Sequence, residues 1–279
     1  MKRRNNEDRL MGGHKPTPSE DAPGMANPMD FITPTEFVPL PSRGRYPEGH
    51  PLHGQDSIEI KYMTARDEDV LTNKSLLKKG LAIDRLIQNV IKDPNINSKS
   101  LYIGDRNAII IHARASAYGA EYKTSIQCSA CGEVSKFQFD LSDHEEYLGD
   151  AWRETEIKDN EDSTFSATLP LSKIVARIRP LTGQDESNMI AEGKIKDATN
   201  DLITKQMKRF VVDFNGYSDH KTINHVVDNM VALDSRYIRD CFKLISPDIK
   251  MDQEFTCKHC DHEEVVMVPF GTDFFWPER

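Results

Sequence analysis

What this chain lacks narrows its chemistry. No apolar run in its 279 residues approaches the roughly 20 that a membrane-spanning helix needs. The basic start, Met1-Lys-Arg-Arg4, has no apolar segment behind it and does not read as a secretory signal, so the expected setting is a reducing cytoplasm. The signatures of common enzymes are missing too. There is no Gly-rich loop ending in Lys-Ser/Thr, no His-Glu-x-x-His, no Gly-x-Ser-x-Gly and no Gly-x-Gly-x-x-Gly. With 36 basic against 45 acidic residues the net charge is −9, which argues against a general nucleic-acid or membrane-surface binder. Cysteine is scarce, at five residues, yet four of the five stand in pairs. In a reducing compartment paired cysteines are metal ligands more often than disulfides.

Proline is unevenly spread. Nine of the fifteen fall between Pro16 and Pro51. Residues 1–30 are polar and almost without aromatic side chains, a composition that cannot bury enough surface to order itself. Residues 31–55 keep the prolines but add Phe31, Phe37, Leu40 and Tyr46. An extended segment with spaced apolar side chains loses little entropy on docking, so the expectation is an arm lying along this protein or a partner; the plainer alternative is a linker. Deleting it should then leave the melting temperature nearly unchanged.

The folded part is expected from near Ser57, as one α+β domain over residues 56–279. Ile58-Glu-Ile-Lys-Tyr-Met alternates like a half-buried strand, and Thr64-Ala-Arg-Asp67 has capping-box spacing. The acidic triplet Asp67-Glu68-Asp69 is better explained as first-turn carboxylates facing a helix dipole than as a catalytic cluster. Helical spacing continues over 75–93 up to Pro94, over 105–118 up to Gly119, from a second capping box at Thr182-Gly-Gln-Asp185 to about Lys208, and over 221–245 up to Pro247. Residues 140–165 are strongly acidic and read as a solvated helix and loop capped at Ser142. Strand-like alternation flanks both cysteine pairs, through Tyr122–Ile126 and Val134–Leu141 and again through Phe255 and Val265–Val268.

Cys128-Ser-Ala-Cys131 and Cys257-Lys-His-Cys260, each on a hairpin turn, have the makeup of a zinc ribbon. The two-residue gap lets both thiolates of a turn face one ion. Each turn needs a residue tolerant of positive φ after its second cysteine; Gly132 suits this well and Asp261 less well. The long interval between the pairs is no obstacle, because loop-closure entropy grows only logarithmically. Four thiolates fill a tetrahedral shell and leave no position for water, so one structural zinc is expected, not a hydrolytic site. Two other readings are weaker: His259 or His262 replacing a cysteine, and a thioredoxin-type redox pair, which would open a helix in a βαβ context. Cys241 lies on an apolar helix stripe and reads as a buried thiol.

Several segments then carry a resemblance. Phe37-Val-Pro-Leu-Pro-Ser-Arg-Gly44, the run Ile58–Asn73, Ile103-Gly-Asp-Arg-Asn-Ala-Ile109, Tyr118-Gly-Ala-Glu-Tyr122, Cys128-Ser-Ala-Cys131 and Asp273-Phe-Phe-Trp-Pro277 resemble the baseplate hub and hub-assembly proteins of T-even-like tailed bacteriophages. The resemblance runs from about residue 31 to the end, densest over 37–141. It implies a non-enzymatic structural or assembly factor of a contractile tail, made in the host cytoplasm; the resemblance leaves open whether such a protein stays in the virion or leaves after assembly, and the long N-terminal extension favours a component that stays. Its partners would be other baseplate and tail proteins, with no small-molecule substrate. Phe31, Phe37, Leu40, Tyr46, Phe274, Phe275 and Trp276 are the candidate partner contacts. The rival reading is a zinc-ribbon regulator binding nucleic acid through Lys173, Arg177, Arg179, Lys194, Lys196, Lys205, Lys208 and Arg209. A metal-dependent enzyme would need an open coordination position that four cysteines deny.

Overall fold

The alternating segment at Ile58 forms a strand, but its partner comes from the proline-rich stretch before it. In the computed structural model, which describes residues 32–193, 202–268 and 272–275, β1 (Thr35–Pro39) pairs antiparallel with β2 (Ser57–Lys61), Phe37 facing Glu59. The chain between them folds back tightly. Gly44, at φ +70°, lies so close to Gln55 that a Cβ there would collide with the Gln55 backbone. Val38, Leu40, Tyr46 and Leu52 are buried in the main core. The compact unit therefore begins at Pro34 and not near Ser57, and residues 34–55 are part of its core rather than an arm. Hydrophobic spacing alone could not separate an arm docked on a partner from a segment docked on its own chain. The expected tail, residues 1–30, lies outside the described residues.

Three short helices come next. α1 (Ala65–Thr72) starts at Thr64, whose backbone N–H and hydroxyl both donate to the Asp67 carboxylate, at 2.9 and 2.8 Å. The single helix expected over 75–93 is two, α2 (Lys74–Lys79) and α3 (Ala82–Val90). Gly80, in the left-handed region at φ +69°, closes α2 and turns the chain. α4 (Ile103–Tyr118) then runs through the middle of the unit, with Ala108, Ile109 and Ile111 buried and Gly119 closing it.

α4 also buries three ionisable residues, each held by a different part of the chain. The Asp105 carboxylate accepts from the Ser42 backbone N–H (2.9 Å), the Ser42 hydroxyl (2.6 Å) and the Tyr46 hydroxyl (2.5 Å). Desolvation pushes Asp105 above the usual carboxylate range, against the pull of those donors. The Arg106 guanidinium donates to Asp84 (2.6 Å) and to the Ser98 carbonyl (2.9 Å). Arg114 donates to the carbonyls of Phe274 (2.9 Å) and Gly119 (2.8 Å). Gly104 admits the Pro247 backbone, whose carbonyl would collide with a Cβ at that position.

β3 (Glu121–Gln127) and β4 (Val134–Asp140) form the first cysteine hairpin. The acidic region after it is not a helix. It gives β5 (Glu145–Tyr147), which pairs with residues 248–250, then a 3-10 turn at Ala151–Glu154 and β6 (Lys158–Asp159). Ser142 caps nothing; its N–H and hydroxyl instead donate to Asp140. β7 (Phe165–Thr168), β8 (Val175–Ile178) and β9 (Val211–Phe214) join β6 in an antiparallel sheet of order β6-β7-β8-β9. α5 (Gly183–Gly193) and α6 (Leu202–Phe210) lie between β8 and β9.

The long helix expected over 221–245 is also divided, into α7 (His220–Asp228) and α8 (Ala232–Ile245). Val231 is extended at the break, and the buried Asp234 just beyond it accepts from the N–H groups of Leu171 and Ser172 in the β7–β8 turn. This sheet and these helices surround a second core of Phe165, Ile178, Phe210, Phe214, Ile238 and Ile245. Cys241 belongs to it, a buried thiol that desolvation pushes up to about 11. β10 (Asp248–Lys250) completes the pair with β5, and β11 (Asp252–Thr256) with β12 (Glu263–Met267) makes the second cysteine hairpin. A last 3-10 turn, Thr272–Phe275, returns Phe274 and Phe275 to the main core. Among the described residues no helix is long and apolar enough to cross a membrane.

Burial of the 34–55 segment reverses the expectation for its removal. Leu40→Ala should destabilise the protein by about 2–5 kcal/mol in urea unfolding, the usual cost of an emptied core site. Deleting residues 34–55 should abolish the cooperative transition. A deletion variant melting at the wild-type temperature would show that the segment is dispensable to the core.

Candidate metal centre

The two hairpins present their turns to each other. In the first, the Cys128 N–H donates to the Glu133 carbonyl (2.9 Å) and the Gly132 N–H returns to the Cys128 carbonyl (3.0 Å). In the second, Cys257 donates to His262 (2.9 Å) and Asp261 returns to Cys257 (3.0 Å). The same pair of bonds at the same spacing makes two equivalent loops. Both need the left-handed region at one position, and Gly132 (φ +75°) and Asp261 (φ +54°) occupy it. The sequence expectation for these two residues therefore holds in geometry.

All four sulfurs lie within 4.8 Å of one another. Two separations that cross between the hairpins, Cys128 to Cys260 and Cys131 to Cys257, are each 3.7 Å. A tetrahedral ion with metal–sulfur bonds of about 2.3 Å has sulfur–sulfur edges of about 3.8 Å. The separations therefore match the edges of a filled coordination shell, and the four cysteines can hold one metal ion between the hairpins. Cys128 and Cys257 are buried, Cys131 and Cys260 exposed. The cluster thus sits at the surface with one sulfur of each turn facing inward.

The surroundings favour thiolates selectively. The backbone N–H of His259 points at Cys257 Sγ (3.4 Å) and holds that thiol down to about 6. At Cys260 the His262 N–H also favours the thiolate, but the neighbouring sulfurs outweigh it and push the thiol up to about 12. Four adjacent thiols without a cation cannot all ionise, because the like charges repel; a divalent ion removes that penalty.

Packing under the sulfurs explains why the hairpins meet. Cys128 and Cys257 share a small apolar cluster with Phe255, flanked by Ile126, Phe137 and Val266, and the Phe137 and Phe255 rings meet edge to face at 5.5 Å. Polar contacts lace the rims. Gln253 accepts from the Asp140 N–H (3.1 Å) and donates to the Asp140 carbonyl (2.6 Å), as a neighbouring strand would. The Ser129 N–H donates to Glu264 (3.1 Å), and His262 Nε2 lies 3.3 Å from the Ser129 hydroxyl. His262 therefore braces the two loops from outside the sulfur cluster. Local spacing carries no signal for Gln253, Ser129 or Glu264, since their partners are more than 100 residues away.

The candidate partner contacts separate into three groups. Phe37 is 68% exposed and stands free on β1. Leu40, Tyr46, Phe274 and Phe275 are buried in the protein's own core and present no free surface, which corrects their expected role as partner contacts. Their apolar character is satisfied internally: the Tyr46 ring stacks on Tyr102 at 4.4 Å and Phe274 packs against Tyr122 at 5.1 Å. Phe31 and Trp276 lie outside the described residues.

The basic residues considered for nucleic acid are largely engaged. Arg177 bonds to Asp162, Arg179 to Asp185 (2.8 Å), Lys208 to Asp228 (2.6 Å) and Arg209 to Glu192. Lys194 and Lys196 lie outside the described residues. In the acidic triplet, Asp67 caps α1 and accepts from Asn89 (3.0 Å), while Glu68 accepts from the Tyr118 hydroxyl (2.7 Å). These carboxylates are structural.

No curated protein and no solved structure matches the chain. The profile of one protein family does, over residues 36–276, a span that includes both cysteine hairpins and the central helix. This chain belongs to the family described as T4 bacteriophage base plate protein.

Proposed function

We propose that the protein is a structural or assembly component of a contractile-tail baseplate, in the hub or in its assembly, acting through contacts with other tail proteins. Family membership over residues 36–276 carries this reading. A four-cysteine cluster with no open coordination position accords with a role in holding shape rather than in turnover. The ion proposed for the cluster is zinc, one per chain. A soft, four-thiolate tetrahedral donor set suits zinc, and the paired loops have the form of a zinc ribbon. The zinc would tie the middle of the chain to its C-terminal hairpin. Phe37, exposed on an edge strand, is the proposed partner contact among the described residues.

Two outcomes are expected. Anaerobically purified protein should contain one zinc per chain by elemental analysis, and Cys128→Ser should lose both the metal and the cooperative melting transition. Chelation at mildly acidic pH should be faster than at neutral pH, because protons compete for the thiolates. Protein that is folded and free of metal would refute the zinc assignment. For the baseplate reading, mass spectrometry of purified virions and a pull-down of tail proteins should recover specific partners, and Phe37→Glu should weaken that binding with little change in melting temperature. A salt-sensitive shift of DNA or RNA at physiological ionic strength, with no tail partner recovered, would favour the nucleic-acid reading instead.

A further inference from the structure

The second cysteine hairpin leaves one sheet edge open. β12 pairs with β11 on one side, and among the described residues no strand pairs with it on the other. The Cys257 N–H donates to the His262 carbonyl and the Val268 N–H to the Met251 carbonyl, at 2.9 and 3.3 Å. In an antiparallel ladder only alternate opposed residues exchange backbone bonds. The bonded pairs between those two ends are therefore Phe255–Glu264 and Gln253–Val266. It follows that the N–H and C=O groups of Glu263, Val265 and Met267 point off the free edge. Their side chains share one face of the hairpin, where Val265 and Met267 are each 67% exposed.

Exposed sheet edges are usually blunted by lysine, proline or a bulge. Each of the other sheets has a lysine in its strands: Lys61, Lys123, Lys158 and Lys250. β11 and β12 have no basic residue and no proline, and their register runs without a bulge. On the same face as Val265 and Met267 stand Asp252, Glu254 and Glu263, exposed and without an ion-pair partner among the described residues. We propose that β12 is the docking edge for an extended basic segment of another baseplate protein, which adds to the hairpin as a third strand. The proposal rests on the baseplate reading above. Main-chain bonds to Glu263, Val265 and Met267 supply affinity, while apolar side chains beside Val265 and Met267 and a Lys or Arg beside Glu263 supply selectivity. A second copy of this chain is a poorer occupant. Pairing β12 with β12 gathers the unpaired carboxylates of both copies on one four-stranded face, where like charges repel.

Residue-resolved hydrogen exchange of the full-length, metal-loaded protein tests this, free and within baseplates or their assembly intermediates from infected cells. The Glu263, Val265 and Met267 amides should exchange rapidly in the free protein and about tenfold or more slowly in the assembly. The Glu264 and Val266 amides, already bonded to β11, are the internal reference. Val265→Pro removes one outward donor and spares the ladder, so it should reduce incorporation severalfold with little change in melting temperature. Should that variant fail to fold, Val265→Lys keeps the backbone donor and sets a cation against a basic partner, with the same expected loss. Edge amides that exchange as fast in the assembly as in the free protein overturn the docking edge and leave the baseplate reading standing. A chain absent from baseplates and intermediates alike removes both. Protection that appears in the free protein as its concentration rises also overturns the proposal, since the edge is then covered by a second copy.

Discussion

The fold depends on a single helix that carries buried charge. Asp105, Arg106 and Arg114 occupy α4 within a few turns of one another, and water reaches none of the three. Ionisable groups so placed are costly unless every lone pair or N–H finds a partner. Here the partners come from three remote places: Ser42 and Tyr46 near the N-terminal edge, Asp84 and Ser98 around α3, and Phe274 at the C-terminal turn. Misplacing any of these segments would strand a buried charge, a penalty of several kcal/mol. α4 thus excludes alternative arrangements as well as supporting the observed one. Its glycine, Gly104, adds a steric condition by letting the Pro247 backbone lie against it.

The cysteine cluster works on a different part of the problem. The two hairpins that carry it are each two-stranded and share only a small apolar patch of Phe137, Phe255 and their neighbours. Isolated two-stranded hairpins are marginal in water. Shared coordination of one ion would convert two weak units into one, and the Gln253 and Glu264 contacts tie the rims of the two hairpins together. α4 fixes the main core, the sulfur cluster fixes the hairpins, and the β6–β9 sheet with α7 and α8 forms a second core between residues 157 and 245.

How much can be read from the sequence depends on the range of the forces involved. The cysteine pairs are legible because each sits on a short, rigid turn whose bonds span a few residues, and the Gly132 and Asp261 positions come from the same local geometry. The capping boxes at Thr64 and Thr182 are legible for the same reason, since their bonds span three residues. Helix breaks are not. Periodicity carries straight through Gly80 and through Asn229–Val231. At the second break only a tertiary contact, Asp234 reaching the β7–β8 turn, makes the interruption worthwhile. The acidic stretch fails as a helix because β5 finds a strand partner a hundred residues later. The buried state of Asp105 has no local signal at all, for its donors lie some 60 residues away.

The proline-rich segment shows the same limit from the opposite side. Its composition matches an extended arm, and extended it is, in β1. Prolines restrict the unfolded chain and so reduce the entropy lost when the segment is fixed; that holds whether the fixing surface belongs to this chain or to another. The deciding fact is Asp105. A buried carboxylate on α4 requires the Ser42 and Tyr46 hydroxyls, so the segment must return to its own core before any partner can use it. Phe37 escapes this because alternation along β1 turns it to the face opposite Val38. One strand therefore does both tasks, with its inward side chains completing the core and its outward aromatic left exposed on the surface.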